Sequence, residues 1–346
     1  MTRMLRRYLR TMITVLLLGL VITLGLSLLI DPLWYHEGNR ITQRNIGFNE
    51  RVSKLNRLLA NPDAYDCIIF GSSRTTLLNE PYFKESNCFN LAISLGMVGE
   101  FVAFAEYLWE RGVRPKTVYI GVDGFNFYTA DVAETVPDYV RAGDDPPHWL
   151  RNYLTLDALQ FSIRGLLGKS PVPRYYTADF TADIEPGRRV YTPEADALRP
   201  DSKRSVPAAR TYHPEHLAQY QRLLEIYSDQ DVRFYVPPIS LWRIDDFYRR
   251  GEIDGYLEGI HAVGQLGRPL LDFSVPSSLT IDPNRTYDGS HFDLDANRNI
   301  ARSLESETCD LCVAVNGLSL TEYRQIFDAA YEARRAEVLE AAAGER

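Results

Sequence analysis

The sequence predicts an α/β fold with a central parallel sheet, preceded by one transmembrane helix. From residue 64 to residue 306, short apolar runs of strand length alternate with longer segments of helix length. This alternation is typical of right-handed crossovers, which build parallel sheets. Residues 12–30 contain no charged side chain, and a run of this length is about enough to cross a bilayer as a helix. The 346 residues, 45% of them hydrophobic, suffice for one large domain with appendages.

The N-terminal segment predicts a membrane anchor. Residues 1–11 precede the apolar run and contain Arg3, Arg6, Arg7 and Arg10. Basic residues before a span predict that the N-terminus stays in the cytoplasm. A cleaved signal peptide is the alternative, but no small residues of a cleavage site follow Ile30. We therefore expect an uncleaved, single-pass anchor over residues 12–30 in a bacterial inner membrane, with the main domain in the periplasm.

The first half of the predicted domain follows this anchor. Residues 31–63 are interpreted as a stalk and a packing helix, because apolar side chains recur near one helical face from Phe48 to Ala60. The α/β domain, residues 64–306, then begins with apolar runs typical of strands buried on both faces. Its first predicted elements are a strand ending at Ser73, a strand over Cys88–Ile93, a helix over Val98–Arg111 and a strand over Thr117–Val122.

An insertion interrupts the alternation between residues 127 and 212. This stretch is rich in Pro, Asp, Arg and Tyr, and its only candidate helix is Tyr153–Leu167. Insertions of this length in a compact fold are usually functional, so we expect a lid or substrate-binding segment. The alternation then resumes with a helix over 214–228, a strand over 232–236, a largely helical segment over 245–263, a strand over 269–273 and a helix over 295–304. Residues 307–346 form a C-terminal extension that is largely helical.

Two short motifs carry candidate chemistry. The strand that begins at Cys67 ends in Gly71-Ser72-Ser73, and ligands of parallel sheets bind at the carboxyl ends of strands. Near the other end of the domain stands Asp288-Gly289-Ser290-His291, in which Asp and His are three positions apart. A serine hydroxyl is a poor nucleophile until a base removes its proton. His291 is the candidate base, and Asp288 would orient its ring.

These motifs resemble those of the SGNH/GDSL hydrolase superfamily, and within it the membrane-anchored branch similar to envelope-polysaccharide O-acyltransferases. The resemblance covers residues 64–306 in order and spacing. It implies a flavodoxin-like three-layer sandwich in which Ser73 is the nucleophile and Asp288 and His291 complete the triad. It also implies that the oxyanion donors are the N–H of Ser73 and a glycine after the second strand, for which Gly96 is the matching position and Gly99 the alternative.

The third block of the family departs from the expected pattern. The family has Asn after the third strand, whereas this chain has Asp123 in that position. An ionised Asp only accepts hydrogen bonds, so it would oppose an oxyanion unless it were protonated or turned away. Asn126 is the candidate replacement donor. We expect Arg74, Asp123 and Tyr287 to contact substrate, although a surface salt bridge is the simpler interpretation for Arg74. Tyr287 and Trp242 are candidates to line the crevice, with core packing as the simpler interpretation for both.

The resemblance implies acyl chemistry on a cell-envelope polysaccharide. Ser73 would form an acyl-enzyme and pass the group, expected to be acetyl, to or from the glycan. No metal or diffusible cofactor is expected. A membrane-bound O-acyltransferase is an expected partner, and nucleic acid is not, because the net charge is −8. The alternatives are a carbohydrate or lipid esterase of the same fold and a non-catalytic glycan-binding or assembly module.

The four cysteines predict disulfides in an exported domain. Cys67 and Cys88 each begin a strand, and we expect these strands to be neighbours. A Cys67–Cys88 bond is therefore predicted, and Cys309 and Cys312 are candidates for a local bond. A zinc site that combines Cys309 and Cys312 with His213 and His216 is the alternative, although the two pairs are far apart in sequence.

Overall fold

A computed structural model describes residues 3–46, 49–130, 136, 148–170, 172–185 and 190–344. The chain divides into two compact units. We call residues 1–60 and 136–186 the anchor unit, and residues 61–135 and 187–346 the α/β unit.

The elements of both units are numbered in chain order over the described residues. The strands are β1 Arg44–Ile46, β2 Cys67–Phe70, β3 Cys88–Asn90, β4 Thr117–Gly121, β5 Arg174–Thr177, β6 Ala182–Ile184, β7 Asp231–Val236, β8 Leu270–Asp272 and β9 Val313–Ala314. The α-helices are α1 Arg3–Ile30, α2 Glu50–Ala60, α3 Val98–Glu110, α4 His148–Tyr153, α5 Leu156–Leu167, α6 Leu217–Ile226, α7 Leu241–Arg250, α8 Ile253–Gly264, α9 Ser278–Ile281, α10 Leu294–Ser306 and α11 Leu320–Gly344.

The α/β unit contains a six-stranded sheet in the order β3-β2-β4-β7-β8-β9. The first five strands are parallel, and β9 pairs antiparallel with β8. Counted within this sheet, the parallel strands follow the order 2-1-3-4-5 of the flavodoxin-like arrangement. The order reverses between β2 and β4, and ligands of such sheets bind at that point. The predicted α/β fold with a parallel central sheet is confirmed.

Helices cover both faces of this sheet. On one face, Ile69, Tyr119 and Tyr235 belong to the same buried cluster as Ile300 and Leu304 of α10. On the opposite face the ring of Phe70 lies 6.0 Å from Phe101 of α3 and 6.2 Å from Tyr227, which follows α6. Because successive strand residues point to opposite faces, the apolar strands require cover on both sides, and the result is a three-layer sandwich.

The boundaries of several elements differ from the predicted ones. The segment over 245–263 consists of two helices, α7 and α8, because Gly251 adopts φ +69° and ends α7. Strand β3 ends at Asn90, three residues earlier than expected. The packing helix α2 begins at Glu50, and Phe48 lies outside the described residues.

The predicted disulfide between Cys67 and Cys88 is confirmed. These residues are direct register partners on β2 and β3, with Cα atoms 4.2 Å apart. Cys309 and Cys312 are also bonded to each other.

The anchor unit contains the one helix in the described part of the chain that is long and apolar enough to cross a membrane, α1. The unit also has a three-stranded antiparallel sheet in the order β1-β5-β6. A buried ion pair joins Arg174 of β5 to Glu50 of α2 at 2.7 Å. Lys54 is buried beside this pair, and its Nζ lies 4.9 Å from the ring centre of Tyr176.

Candidate active site

The turn after β2 places Ser72, Ser73 and Arg74 at the point where the strand order reverses. A Cβ on Gly71 would overlap the side chain of Thr75, so the turn can close only around a glycine. The hydroxyl of Tyr235 on β7 donates to Thr75 Oγ1 at 2.8 Å. The hydroxyl of Thr76 donates to the Ser73 carbonyl at 2.7 Å. The backbone that carries Ser73 is therefore fixed to the centre of the sheet.

The loop before α10 pairs Asp288 with His291. His291 Nδ1 lies 2.7 Å from Asp288 Oδ2. The other carboxylate oxygen of Asp288 accepts the N–H groups of Ser290 and His291, each at 2.9 Å. Because a carboxylate can only accept, Nδ1 carries the proton and Nε2 is the acceptor of the neutral ring. Nε2 is buried and has no hydrogen-bond partner among the described residues, so it is available to take a proton.

The pKa of Asp288 is lowered to about 2. Burial alone would raise the pKa of this carboxyl, but the hydrogen bond and charge of His291 and the two backbone N–H groups outweigh burial. Asp288 is therefore ionised at any physiological pH. An ionised partner at Nδ1 holds the imidazole tautomer and stabilises the imidazolium that would form on proton uptake.

Gly289 lies between Asp288 and His291 in the sequence and packs closely against Ser240 and Tyr191. It adopts φ +82°, and a Cβ there would lie 2.7 Å from Ser240 Oγ and 2.8 Å from the hydroxyl of Tyr191. The N–H of Ser240 donates to the Gly289 carbonyl at 2.8 Å. The ring of Tyr287 stacks on His291 with centroids 5.0 Å apart. Tyr287 therefore contacts the candidate base, as a wall of the site.

Asp123 interacts electrostatically with Arg74, in the turn that carries Ser73, and with His291. Its side chain is completely buried, and Oδ1 lies 3.0 Å from Nη1 of Arg74, whose side chain is 14% exposed. Burial raises the pKa of Asp123, and Arg74, the polar groups of Ser72 and His291 oppose that rise, in this order. Charges act on a pKa in this way over short distances. Asp123 is therefore paired with Arg74, and the charge of His291 also acts on its pKa.

Arg74 and Asp123, which were expected to contact substrate, are paired with each other. Arg74 is neither a surface ion pair nor a free cation, because its guanidinium pairs with a buried carboxylate and lies over the ring of Phe125 at 5.5 Å. A carboxylate neutralised by a cation no longer opposes an oxyanion as strongly as an isolated one. Local spacing offered no signal for this pair, since the two residues are on turns after different strands.

The predicted oxyanion donors differ in availability. The N–H of Ser73 has no partner among the described residues. The N–H of Gly96 donates to the Ile93 carbonyl at 3.0 Å, so it is already used, although Gly96 packs against the Gly71 carbonyl. Asn126 is fully buried, and its Oδ1 accepts from the N–H of Val98 at 3.2 Å. Asn126 Nδ2 has no partner in the described chain.

No hydrogen bond joins Ser73 to His291 in the described residues, because Nε2 is unpartnered. Serine–histidine contacts are often loose in unliganded enzymes and tighten when substrate binds. Tyr191, which no motif indicated, lies within hydrogen-bonding distance of Ser240 at 3.4 Å and borders Gly289. It belongs to the predicted insertion, and only the folded chain reveals that this residue meets the histidine loop.

Trp242 fits its simpler interpretation. It is 6% exposed, and its Nε1 donates to the carbonyl of Glu194 at 2.9 Å. Among the described residues, no group of three or more His, Cys, Asp or Glu side chains is placed to hold a metal ion.

Comparisons with known proteins add little to this geometry. The sequence matches no protein-family model and no curated protein. One solved structure with a similar chain path is described as "a putative platelet activating factor from Streptococcus pneumonia". The two chains are 8% identical, aligned over 75% of this chain and 92% of that one, with a TM-score of 0.38. A likeness at this level carries no information about activity.

Proposed function

We propose that this protein is a membrane-tethered serine acyltransferase or esterase. It would act on the O-acyl groups of a cell-envelope polysaccharide, and the acyl group we propose is acetyl. The observation that carries the proposal is the Asp288–His291 pair, whose Nε2 is buried and has no hydrogen-bond partner among the described residues. An oriented imidazole with an unoccupied acceptor nitrogen is what activation of a serine requires.

The proposed reaction has two half-steps. Ser73 Oγ attacks the acyl carbonyl carbon while its proton passes to His291 Nε2, and a tetrahedral oxyanion forms. The proton then moves to the departing alcohol oxygen, which leaves an acyl-enzyme. An acceptor hydroxyl, or water in the esterase case, gives its proton to His291 and attacks the acyl carbon. The bond to Ser73 Oγ then breaks, and His291 returns the proton to Ser73 Oγ, which restores the free serine and the neutral ring. The Ser73 N–H and Asn126 Nδ2 are the candidate donors to the oxyanion, because neither has another partner among the described residues.

The location and partners are part of the same proposal. Helix α1 would hold the chain in a bacterial inner membrane, with the α/β unit in the periplasm, where a Cys67–Cys88 disulfide can form. A membrane-bound O-acyltransferase would supply the acyl group. No cofactor enters the proposed reaction.

A second candidate function rests on a specific observation. The Gly96 N–H, expected in the oxyanion hole, is bonded to Ile93 instead. A site with fewer donors stabilises the tetrahedral intermediate less. This favours, as the alternative, a non-catalytic module of the same fold that binds glycan or assembly partners.

Covalent labelling separates the two candidates. The full-length chain in detergent is treated with a fluorescent fluorophosphonate, which phosphonylates an activated serine with loss of fluoride. We expect labelling of the wild type and of Ser72→Ala, and none of Ser73→Ala or His291→Ala. Ser72 is the matched control because it is adjacent to Ser73 but completely buried. Labelling that survives in Ser73→Ala, or that is absent from the wild type, would reject the nucleophile and leave the binding module.

Acetyl release and acetyl transfer are distinguished in a second measurement. An activated acetyl ester is supplied with and without an envelope glycan, and free acetate and acetylated glycan are both quantified. A transferase should form acetylated glycan, whereas an esterase should release acetate at the same rate in both cases.

A further inference from the structure

The last helical turns of α1 are covered by α5. Residues 11–22 of α1 are all exposed, whereas residues 23–28 are partly or fully buried. Ser162 of α5 lies 3.5 Å from Ser27, and a Cβ on Gly165 would lie 3.0 Å from Ile30. From the first contact to the second, the residue number increases by three on both helices, from 27 to 30 and from 162 to 165. The two helices therefore run in the same direction where they touch.

The contact surface of α5 consists of small side chains. Ala158, Ser162 and Gly165 are its three buried residues, and they recur at helical spacing on one side. Small residues at this spacing allow close approach of backbones and are enriched where helices pack inside membranes. The ends of α5 are also satisfied, since Thr155 Oγ1 accepts from the N–H of Ala158 and Gly168 closes the last turn.

The opposite side of α5 is apolar and uncovered. Leu156 is 83% exposed, Leu167 is 60% exposed and Ile163 is 43% exposed. At ~100° per residue these three positions fall within one narrow sector, roughly opposite to the small residues. Asp157 and Arg164 form a separate strip beside this sector. Such a contiguous apolar patch marks an interaction surface.

The length of α1 indicates what covers this patch. Between Arg10 and Thr23 the exposed part of α1 contains twelve residues, and at ~1.5 Å per residue these span about 18 Å. The hydrocarbon core of a bilayer is about 30 Å thick, so the exposed part alone is too short. The eight residues from Thr23 to Ile30 would supply the missing ~12 Å. If α1 spans a membrane, the segment that α5 covers lies at hydrocarbon depth.

We propose that α5 inserts beside α1 into the outer half of the bilayer, and that its Leu156–Ile163–Leu167 face contacts lipid acyl chains. This inference rests on the proposed membrane span of α1 and is independent of the proposed chemistry at Ser73. The protein would thereby be held by two helices, of which only α1 crosses the membrane. Charged side chains are costly at that depth unless they face polar groups, so the strip with Asp157 should face away from the acyl chains.

Site-specific photocrosslinking tests this placement. p-Benzoyl-phenylalanine is introduced singly at Leu156, Leu167, Leu18 or Asp157 of the full-length chain, which is reconstituted into phosphatidylethanolamine and phosphatidylglycerol vesicles. Leu18 reports the span, because it is an exposed residue of α1. Asp157 is the matched control on the polar strip of α5. After irradiation, acyl-chain adducts are identified by mass spectrometry, and protease resistance verifies that each variant is folded.

We expect acyl-chain adducts at Leu18, Leu156 and Leu167, and none at Asp157. Adducts at Leu18 without adducts at Leu156 and Leu167 would overturn the placement of α5 while leaving the span intact. Equal adducts at Asp157 would overturn the assignment of the lipid-facing side. No adduct at Leu18 would reject the span itself, and the placement of α5 with it. Labelling of Ser73 by fluorophosphonate is unaffected by any of these outcomes.

Discussion

Replacing Arg74 by Met should destabilise the α/β unit in a manner that depends on pH. The substitution leaves Asp123 completely buried without the cation 3.0 Å away. At an effective dielectric constant of about 20, two unit charges at this distance attract each other by about 5 kcal/mol. Removal of one partner from a buried pair typically costs about 3–5 kcal/mol, so we expect a loss near this range at high pH.

The pH dependence follows from the pKa of Asp123, which burial raises above its ordinary value. A raised folded-state pKa means that stability is fully present below the unfolded pKa and is lost as pH rises through the folded pKa. Arg74 opposes the rise, so the Arg74→Met variant should have a still higher folded pKa. The difference in unfolding free energy between wild type and variant should therefore be small in acid. It should grow as pH increases, until Asp123 is ionised in both proteins.

Urea unfolding of the full-length chain in detergent measures this effect. In a background where Trp34 and Trp149 are Phe, fluorescence comes from Trp109 and Trp242, which are both in the α/β unit. The unfolding free energies of wild type and variant are compared across pH.

Asp123→Asn supplies the control for this measurement, because it removes the carboxyl that titrates. In that background Arg74→Met loses the contact with the Phe125 ring but also removes a mostly buried cation that has no carboxylate partner, so its effect should be small and the same at every pH. A loss from Arg74→Met that does not vary with pH, or one that persists unchanged in the Asp123→Asn background, would refute the buried-pair reasoning.

Replacing both Cys67 and Cys88 by Ala should lower the free energy of unfolding by about 3 kcal/mol, because the bond closes a loop with a sequence separation of 21 residues; unchanged urea midpoints would contradict this. Gly289→Ala should abolish fluorophosphonate labelling and cost at least the ~1–2 kcal/mol of a left-handed backbone, since its Cβ also meets Ser240. Gly317→Ala, which has the same φ of +82° but open space around it, should cost only the backbone strain and retain labelling. Burial lowers the pKa of Lys54 from 10.5 to about 7, against the opposing charge of Glu50. Between pH 7 and pH 10 the unfolded chain therefore binds a proton at Lys54 that the folded chain releases, so the thermal stability of the anchor unit should rise with pH over this range. Lys54→Met should remove this pH dependence of the stability.

The sequence predicted the features that depend on local patterning. Apolar runs alternating with amphipathic segments are enough to predict a parallel sheet, because buried strands and crossover helices have different periods. Asp288 and His291 are three positions apart, so one loop can join them, and their hydrogen bond is a local consequence of that spacing. The boundary errors were also local, as at Gly251, where a left-handed residue divides a helical stretch.

Contacts between distant turns could not be predicted in the same way. The Arg74–Asp123 pair depends on β2 and β4 being neighbours, which the spacing of residues along the chain does not reveal. Gly96 matched the family pattern, but its N–H is committed to Ile93 by a turn whose geometry was not apparent from residue types. Ser73 and His291 are more than two hundred positions apart. Their motifs predict roles, whereas the approach of the two side chains depends on the whole sheet.

The two edges of the six-stranded sheet offer few backbone groups for pairing with another chain. One edge strand, β3, has three residues, and the other, β9, has two. Long, unpaired edge strands offer a ladder of free N–H and carbonyl groups to other chains, and short ones offer few. Edges this short leave little for a second copy to pair with once the sheet has formed.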